Sequence, residues 1–185
     1  MRWYAFLMIF TVVLVWACND ADAPVESRIN TKPYFDLKGY FEQQISQLKT
    51  SQPKAVKKVS IGAKTEEITT DTLDYAQELR IFTDSDINKP AWLDKYTIDS
   101  VKNTGGNLQA ISYKANTDDL KVRLIEVNFS QDTITRIYIV NRLNTAVADA
   151  DQELVFMPGK GYKLGARQKV AYADAKNIGV EVNWK

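Results

Sequence analysis

The sequence predicts an α+β fold, with two N-terminal helices packed on one face of a curved, meandering antiparallel β-sheet. Three observations carry this. Two early segments place apolar residues at a helical period, the segments from Tyr96 onward place them at a period of two, and the late turns are short. Antiparallel strands accept tight hairpins, whereas parallel strands need long crossovers. Helices that precede such a sheet pack together against it. A long meander also twists and curls, so the expected form is a half-barrel.

The first helix is expected over residues 35–49. Leu37, Phe41, Ile45 and Leu48 form its apolar stripe, Asp36 its N-cap, and Ser51-Gln52-Pro53 its end. Residues 55–61 read as a strand, with Val59, Ile61 and Ala63 alternating. Gly62–Lys64 turns the chain back into a hairpin partner over 66–70. A second helix is expected from Asp71 or Thr72, with Leu73, Ala76, Leu79 and Phe82 on one face. Strands follow at 96–101 and 108–114 around Asn103-Thr104-Gly105-Gly106, then at 120–129 and 134–140. Residues 145–151 read as a loop. Shorter strands are expected at 153–157, 162–164, 169–172 and 180–184, separated by Gly159, Gly161, Gly165 and Gly179.

The N-terminus carries Arg2 and then an apolar run from Trp3 to Ala17, broken only by Thr11 and ended by Asn19, Asp20 and Asp22. This is the layout of an export signal. The run falls short of the roughly 20 apolar residues that a membrane-spanning helix needs. Its last residues, Leu14-Val15-Trp16-Ala17-Cys18, resemble a lipobox, the processing signal of bacterial lipoproteins, with Trp16 where that family prefers a small residue. The resemblance implies cleavage before Cys18, lipidation of its thiol with diacylglycerol and acylation of its amine by a chain such as palmitate. Cys18 is the sole cysteine. A lone thiol in an oxidising compartment has no disulfide partner, which agrees with its being blocked. The expected organisation is a signal over residues 1–17, a lipidated cysteine and flexible tether over 18–33, and one α+β domain over 34–185. Asp20 and Asp22 resemble the export tags of some surface lipoproteins of the Bacteroidota, and equally suit a solvated linker.

Arg2 leaves with the signal, so the 24 basic residues fall to 23 against 23 acidic ones. A formally neutral chain supplies no basic surface for counterion release, so nucleic acid is not an expected partner. No histidine is present, which removes Ser-His-Asp and Cys-His catalysis in their usual form, histidine zinc sites and histidine-ligated haem. No metal and no cofactor is expected. Ser46-Gln47-Leu48-Lys49 fits a Ser-x-x-Lys pattern but lacks the Lys-Thr-Gly that accompanies it, and reads as a helix end. Asp84-Ser85-Asp86-Ile87-Asn88 opens like a calcium loop, but Lys89 and Lys95 stand where glycine and glutamate are required. Glu66-Glu67 and Asp118-Asp119 read as surface charge rather than as a glycosidase pair.

Tyrosine and tryptophan suit both a core and a sugar- or peptide-binding surface. Trp92, after the proline-fixed Asn88-Lys89-Pro90-Ala91, either plugs the end of the sheet or faces a ligand. The stretches Tyr34-Phe35-Asp36-Leu37-Lys38-Gly39-Tyr40-Phe41 and Asp86-Ile87-Asn88-Lys89-Pro90-Ala91-Trp92 resemble uncharacterised lipoproteins of the Bacteroidota. That resemblance implies a lipid-anchored protein of the cell envelope, on the outer membrane, and no catalytic residues. The leading expectation is a non-enzymatic module for a partner protein or an apolar ligand. The latter requires a dry cavity between sheet and helices. The alternatives are a carboxylate-dependent glycan hydrolase and a glycan-binding module built on Trp92, Tyr113 and Tyr138.

Overall fold

The computed structural model describes residues 32–145, 148–170 and 174–185. The signal, Cys18 and most of the tether lie outside the described residues.

Helix α1 (Leu37–Ser51) starts where Asp36 accepts the Gly39 N–H at 3.0 Å. It stops at Gln52, whose left-handed backbone turns its N–H back to Leu48 O at 2.8 Å. Helix α2 (Tyr75–Thr83) begins later than the sequence suggests. Asp74 is its cap, accepting from the N–H groups of Ala76 and Gln77. Thr70 Oγ1 takes the Thr72 N–H at 3.1 Å, so the residues before Asp74 form a turn off the preceding strand instead.

The strands are β1 (Ala55–Ile61), β2 (Lys64–Thr70), β3 (Tyr96–Lys102), β4 (Leu108–Ala115), β5 (Val122–Ser130), β6 (Thr133–Asn144), β7 (Ala148–Met157), β8 (Gly161–Val170) and β9 (Lys176–Trp184). They form one open antiparallel sheet in the order β2-β1-β9-β8-β7-β6-β5-β4-β3. From β3 to β9 the chain meanders as expected. The β1–β2 hairpin, first in sequence, joins at the far side, where Ala55–Ile61 pairs with β9 from Trp184 back to Ile178.

Two expectations are corrected. The loop foreseen at 145–151 is largely strand, because Asp149–Asp151 pairs with Asn144–Arg142 of β6 on one side and Ala148–Asp151 pairs with β8 on the other. Alternating alanine and aspartate have little strand preference of their own, and pairing on both sides overrides it. The two short strands foreseen at 162–164 and 169–172 are one strand up to Val170, because Gly165 sits in the ladder opposite Gly179 and Glu153. Gly161 has a different reason to be glycine. A Cβ there would lie 1.9 Å from Val182 O, so β8 and β9 approach too closely for any side chain.

Register sorts the sheet into two faces. Tyr113, Ile125, Ile139 and Leu154 lie in one cross-strand row, and Val127, Ile137, Phe156, Tyr162 and Val182 in the next. All of these are buried. The opposite face carries Lys58, Glu126, Arg136, Arg142, Asp151, Lys163 and Glu181. There Arg142–Asp151 (2.7 Å), Lys163–Glu181 (3.0 Å) and Arg136–Glu126 (3.2 Å) are ion-paired across strands.

Candidate functional site

The space where an apolar ligand would sit is filled by aromatic rings. Phe41 of α1 stacks on Phe82 of α2 at 4.8 Å and meets Phe156 of β7 edge-on at 4.9 Å. Phe82 also meets Phe156 (5.9 Å) and Tyr162 of β8 (5.7 Å). Phe41, Phe82 and Phe156 are wholly buried, and full burial of such a ring stabilises by roughly 1.5–3 kcal/mol. Four clefts lined by described residues, along β7–β9, at the end of α1 and beside α2, are open at the surface, and none of these four is lined by the aromatic cluster.

A polar seam fastens α2 to the sheet. Glu78 receives Lys57 Nζ of β1 at 2.5 Å and the Tyr162 hydroxyl of β8 on its other oxygen. Burial, together with the Glu78 carboxylate, pushes the Tyr162 hydroxyl pKa far above its ordinary value. Further along, the Ser85 hydroxyl donates to Ile81 O (2.8 Å) and accepts from Asn141 Nδ2 of β6 (3.0 Å). Asn141 is 1% exposed, and its Oδ1 has no hydrogen-bond partner among the described residues. These contacts join α2 and the residues just after it to β1, β8 and β6.

Beyond α2 the same face of the sheet continues with no other described helix over it. The row through Leu154, Leu164, Val180 and Val59 is fully buried at Leu154 and half-buried elsewhere. In the next row, Ala166 and Ile178 are half-buried and Ile61 is 54% exposed. Leu143, on the same face, is 48% exposed, and Val170 is 41% exposed. The wall of this surface is α2 itself. Gln77, Arg80, Ile81 and Asp84, an i, i+3, i+4, i+7 stripe, line with Lys121, Leu143 and Gln152 a cleft of about 310 Å3. An apolar floor beside an amphipathic wall can take up a folded element of a partner. It offers no convergent set of acids and bases for chemistry.

The sheet's edges are less suited to docking. Lys64, Glu66 and Glu67 charge β2, while Asp99 and Lys102 charge β3 beside a register shift after Val101. Asp99 Oδ1 also takes the N–H of Ser100 at 2.8 Å.

Trp92 sits half-buried in a single 3-10 turn, Pro90–Trp92. Its ring lies 6.3 Å from that of Tyr96 and under Lys89 Nζ at 4.1 Å. The Tyr34 hydroxyl donates to the carbonyls of Trp92 (3.0 Å) and Leu93 (2.7 Å), so this turn anchors the start of the domain. Tyr113 is buried against Tyr34, and its hydroxyl accepts the Phe35 N–H. Tyr138 lies on the opposite, charged face under Arg136, so the three aromatics do not form one platform. Asn88 of the calcium-like segment is occupied as a clasp, accepting the Tyr34 N–H and donating to Phe35 O and Asp86 Oδ1. Glu66 and Glu67 point to opposite faces of β2, and Asp118 pairs with Arg123. Hydrogen bonds from the Thr117 side chain and the backbone hold the Asp119 carboxyl below the usual range. Among the described residues no group of three or more His, Cys, Asp or Glu is placed to hold a metal ion, and no helix is long and apolar enough to cross a membrane.

Fold and site together define an open antiparallel sheet with an exposed, partly apolar face. No protein-family model matches the chain, and no curated protein or solved structure is significantly similar to it.

Proposed function

We propose that this protein is a lipid-anchored envelope lipoprotein that acts as a non-enzymatic interaction module, with a partner protein rather than an enclosed apolar ligand as its target. In the finer architecture both helices pack on one face of the sheet, which curls around them as a half-barrel. The cross-strand rows of buried residues and the ring contacts of Phe41 and Phe82 support that arrangement. The observation that carries the functional reading is the filled aromatic interior beside an uncovered, partly apolar sheet face. A carrier keeps its apolar surface in a cavity, whereas this chain leaves it at the surface. The anchor follows from the lipobox-like segment ending in Cys18 and the polar residues after it. Several acyl chains hold a protein stably on a bilayer, because each buried CH2 contributes about 0.8 kcal/mol.

The test is metabolic labelling with an alkyne-bearing palmitate, followed by fractionation. The wild-type chain should carry the label and sediment with membranes, and its mature mass should begin at Cys18. Cys18→Ser should lose the label and leave the membrane fraction. An intact Met1, or a free thiol at Cys18 in the mature chain, refutes the anchor.

A further inference from the structure

The uncovered face has a charge character that the opposite face lacks. On the opposite face, basic and acidic groups neutralise one another across strands. Around the uncovered face stand Arg80, Lys121, Lys64 and Lys176, none of which forms an ion pair among the described residues. Glu66 and Asp84 are acidic residues at the same surface. The surface therefore mixes apolar residues with Gln152 and Gln168 across its middle and is basic at its border.

Its dimensions suit a helix. The floor spans five strands, β6 to β9 and β1, and four steps of ~4.8 Å give about 19 Å. From Leu154 to Ala148 it runs six residues, or about 20 Å. A helix is about 10–12 Å across, so one of roughly 13 residues fits beside α2. The floor is also continuous with the surface on which α2 already lies, since Leu154 and Phe156 belong to the same strand face. A helix laid there extends an existing helix layer rather than creating a new kind of contact.

We infer that the uncovered face of β1 and β6–β9, walled by α2, binds an amphipathic helix of a partner protein whose apolar stripe is bordered by carboxylates. The inference rests on the reading of this chain as an interaction module, and on nothing about its anchor. Apolar anchors of the partner meet Ile61, Ile178 and Leu143, and its carboxylates meet Lys64, Lys176 and Arg80. The charged border sets the choice of partner, and the apolar floor supplies most of the affinity.

The experiment uses the full chain in discs of zwitterionic lipid and two fluorescent helical peptides of about 14 residues with the same apolar stripe. One carries glutamates at the border and the other lysines. The glutamate peptide should bind saturably and about tenfold more tightly than the lysine peptide, a difference of about 1.4 kcal/mol that several partly exposed ion pairs supply together. The double substitution Lys64→Glu, Lys176→Glu, at exposed positions that leave the core intact, should invert the preference. Leu143→Asp should weaken both peptides. Equal binding of the two peptides, no saturable binding, or indifference to Leu143→Asp overturns the inference. So does self-association of the chain that Leu143→Asp abolishes, because a second copy then occupies the face. So does capture of anionic vesicles in competition with the glutamate peptide. A free thiol at Cys18 with intact peptide binding refutes the anchor and leaves the groove standing. A lipidated chain that binds neither peptide does the reverse.

Discussion

Phe156→Ala tests whether the space between helices and sheet is solid. Phe156 is wholly buried, with ring partners Phe41 at 4.9 Å, Phe82 at 5.9 Å and Tyr40 at 6.3 Å. Truncating a packed phenylalanine costs about 3–5 kcal/mol through lost transfer energy and the cavity left behind. The site belongs at the upper end of that range, because aromatic pairs add about 0.5–1.5 kcal/mol each and three are lost. A loss near 5 kcal/mol is a large share of the 5–15 kcal/mol by which domains are ordinarily stable. At about 2–4 °C per kcal/mol for a domain of this size, the melting temperature should fall by roughly 10–20 °C in a circular-dichroism melt. The cavity should also bind a small apolar probe such as benzene, which the wild type should not, because engineered apolar voids stay dry and accept such probes. A loss below about 2 kcal/mol, or benzene binding by the wild type, would mean that the interior is already open. The carrier reading would then replace the docking reading.

Glu78→Gln should lower stability by about 1–3 kcal/mol in urea titrations, less than a fully buried pair because Lys57 and Glu78 are 23% and 13% exposed. Adding Lys57→Met should restore part of that loss, and a double mutant no better than the single one would remove the pair from the account. Acid should weaken the fold through carboxylates whose folded pKa is depressed. The Lys32 ammonium holds Asp36 below its ordinary value, and Lys163 does the same for Glu181. Their contribution is therefore full above about pH 4–4.5 and is lost as pH falls through the lower folded values. Asp36→Asn with Glu181→Gln should flatten that acid limb in pH-dependent urea melts, while an unchanged slope would show that other groups set it.

Much of the local structure was legible because it rests on short-range rules. Asp36 as N-cap, the Gly62 hairpin, the Asn103–Gly106 turn and the strand from Ala55 are fixed by residues within a few positions of one another. The same reasoning failed at Asp71–Asp74, where a threonine hydroxyl competed for the backbone, and at 148–151 and 165–170, where neighbours on both sides make strand out of alanine, aspartate and glycine. The placement of Trp92 also needed the fold, since its contacts to Tyr34 and Tyr96 join segments far apart in the chain.

By itself the sequence determined the two α-helices of the described residues, the antiparallel habit of the strands, and the chemistry excluded by the absence of histidine. Only the tertiary structure decided where β1 and β2 join the sheet, and how far along it α2 reaches. Leu143, Ile178 and Ile61 carry the same alternation as the core residues beside them. A strand's period tells which side a residue faces. Whether anything lies on that side depends on chain folded in from elsewhere, and this is why the exposed face was invisible until the sheet was assembled.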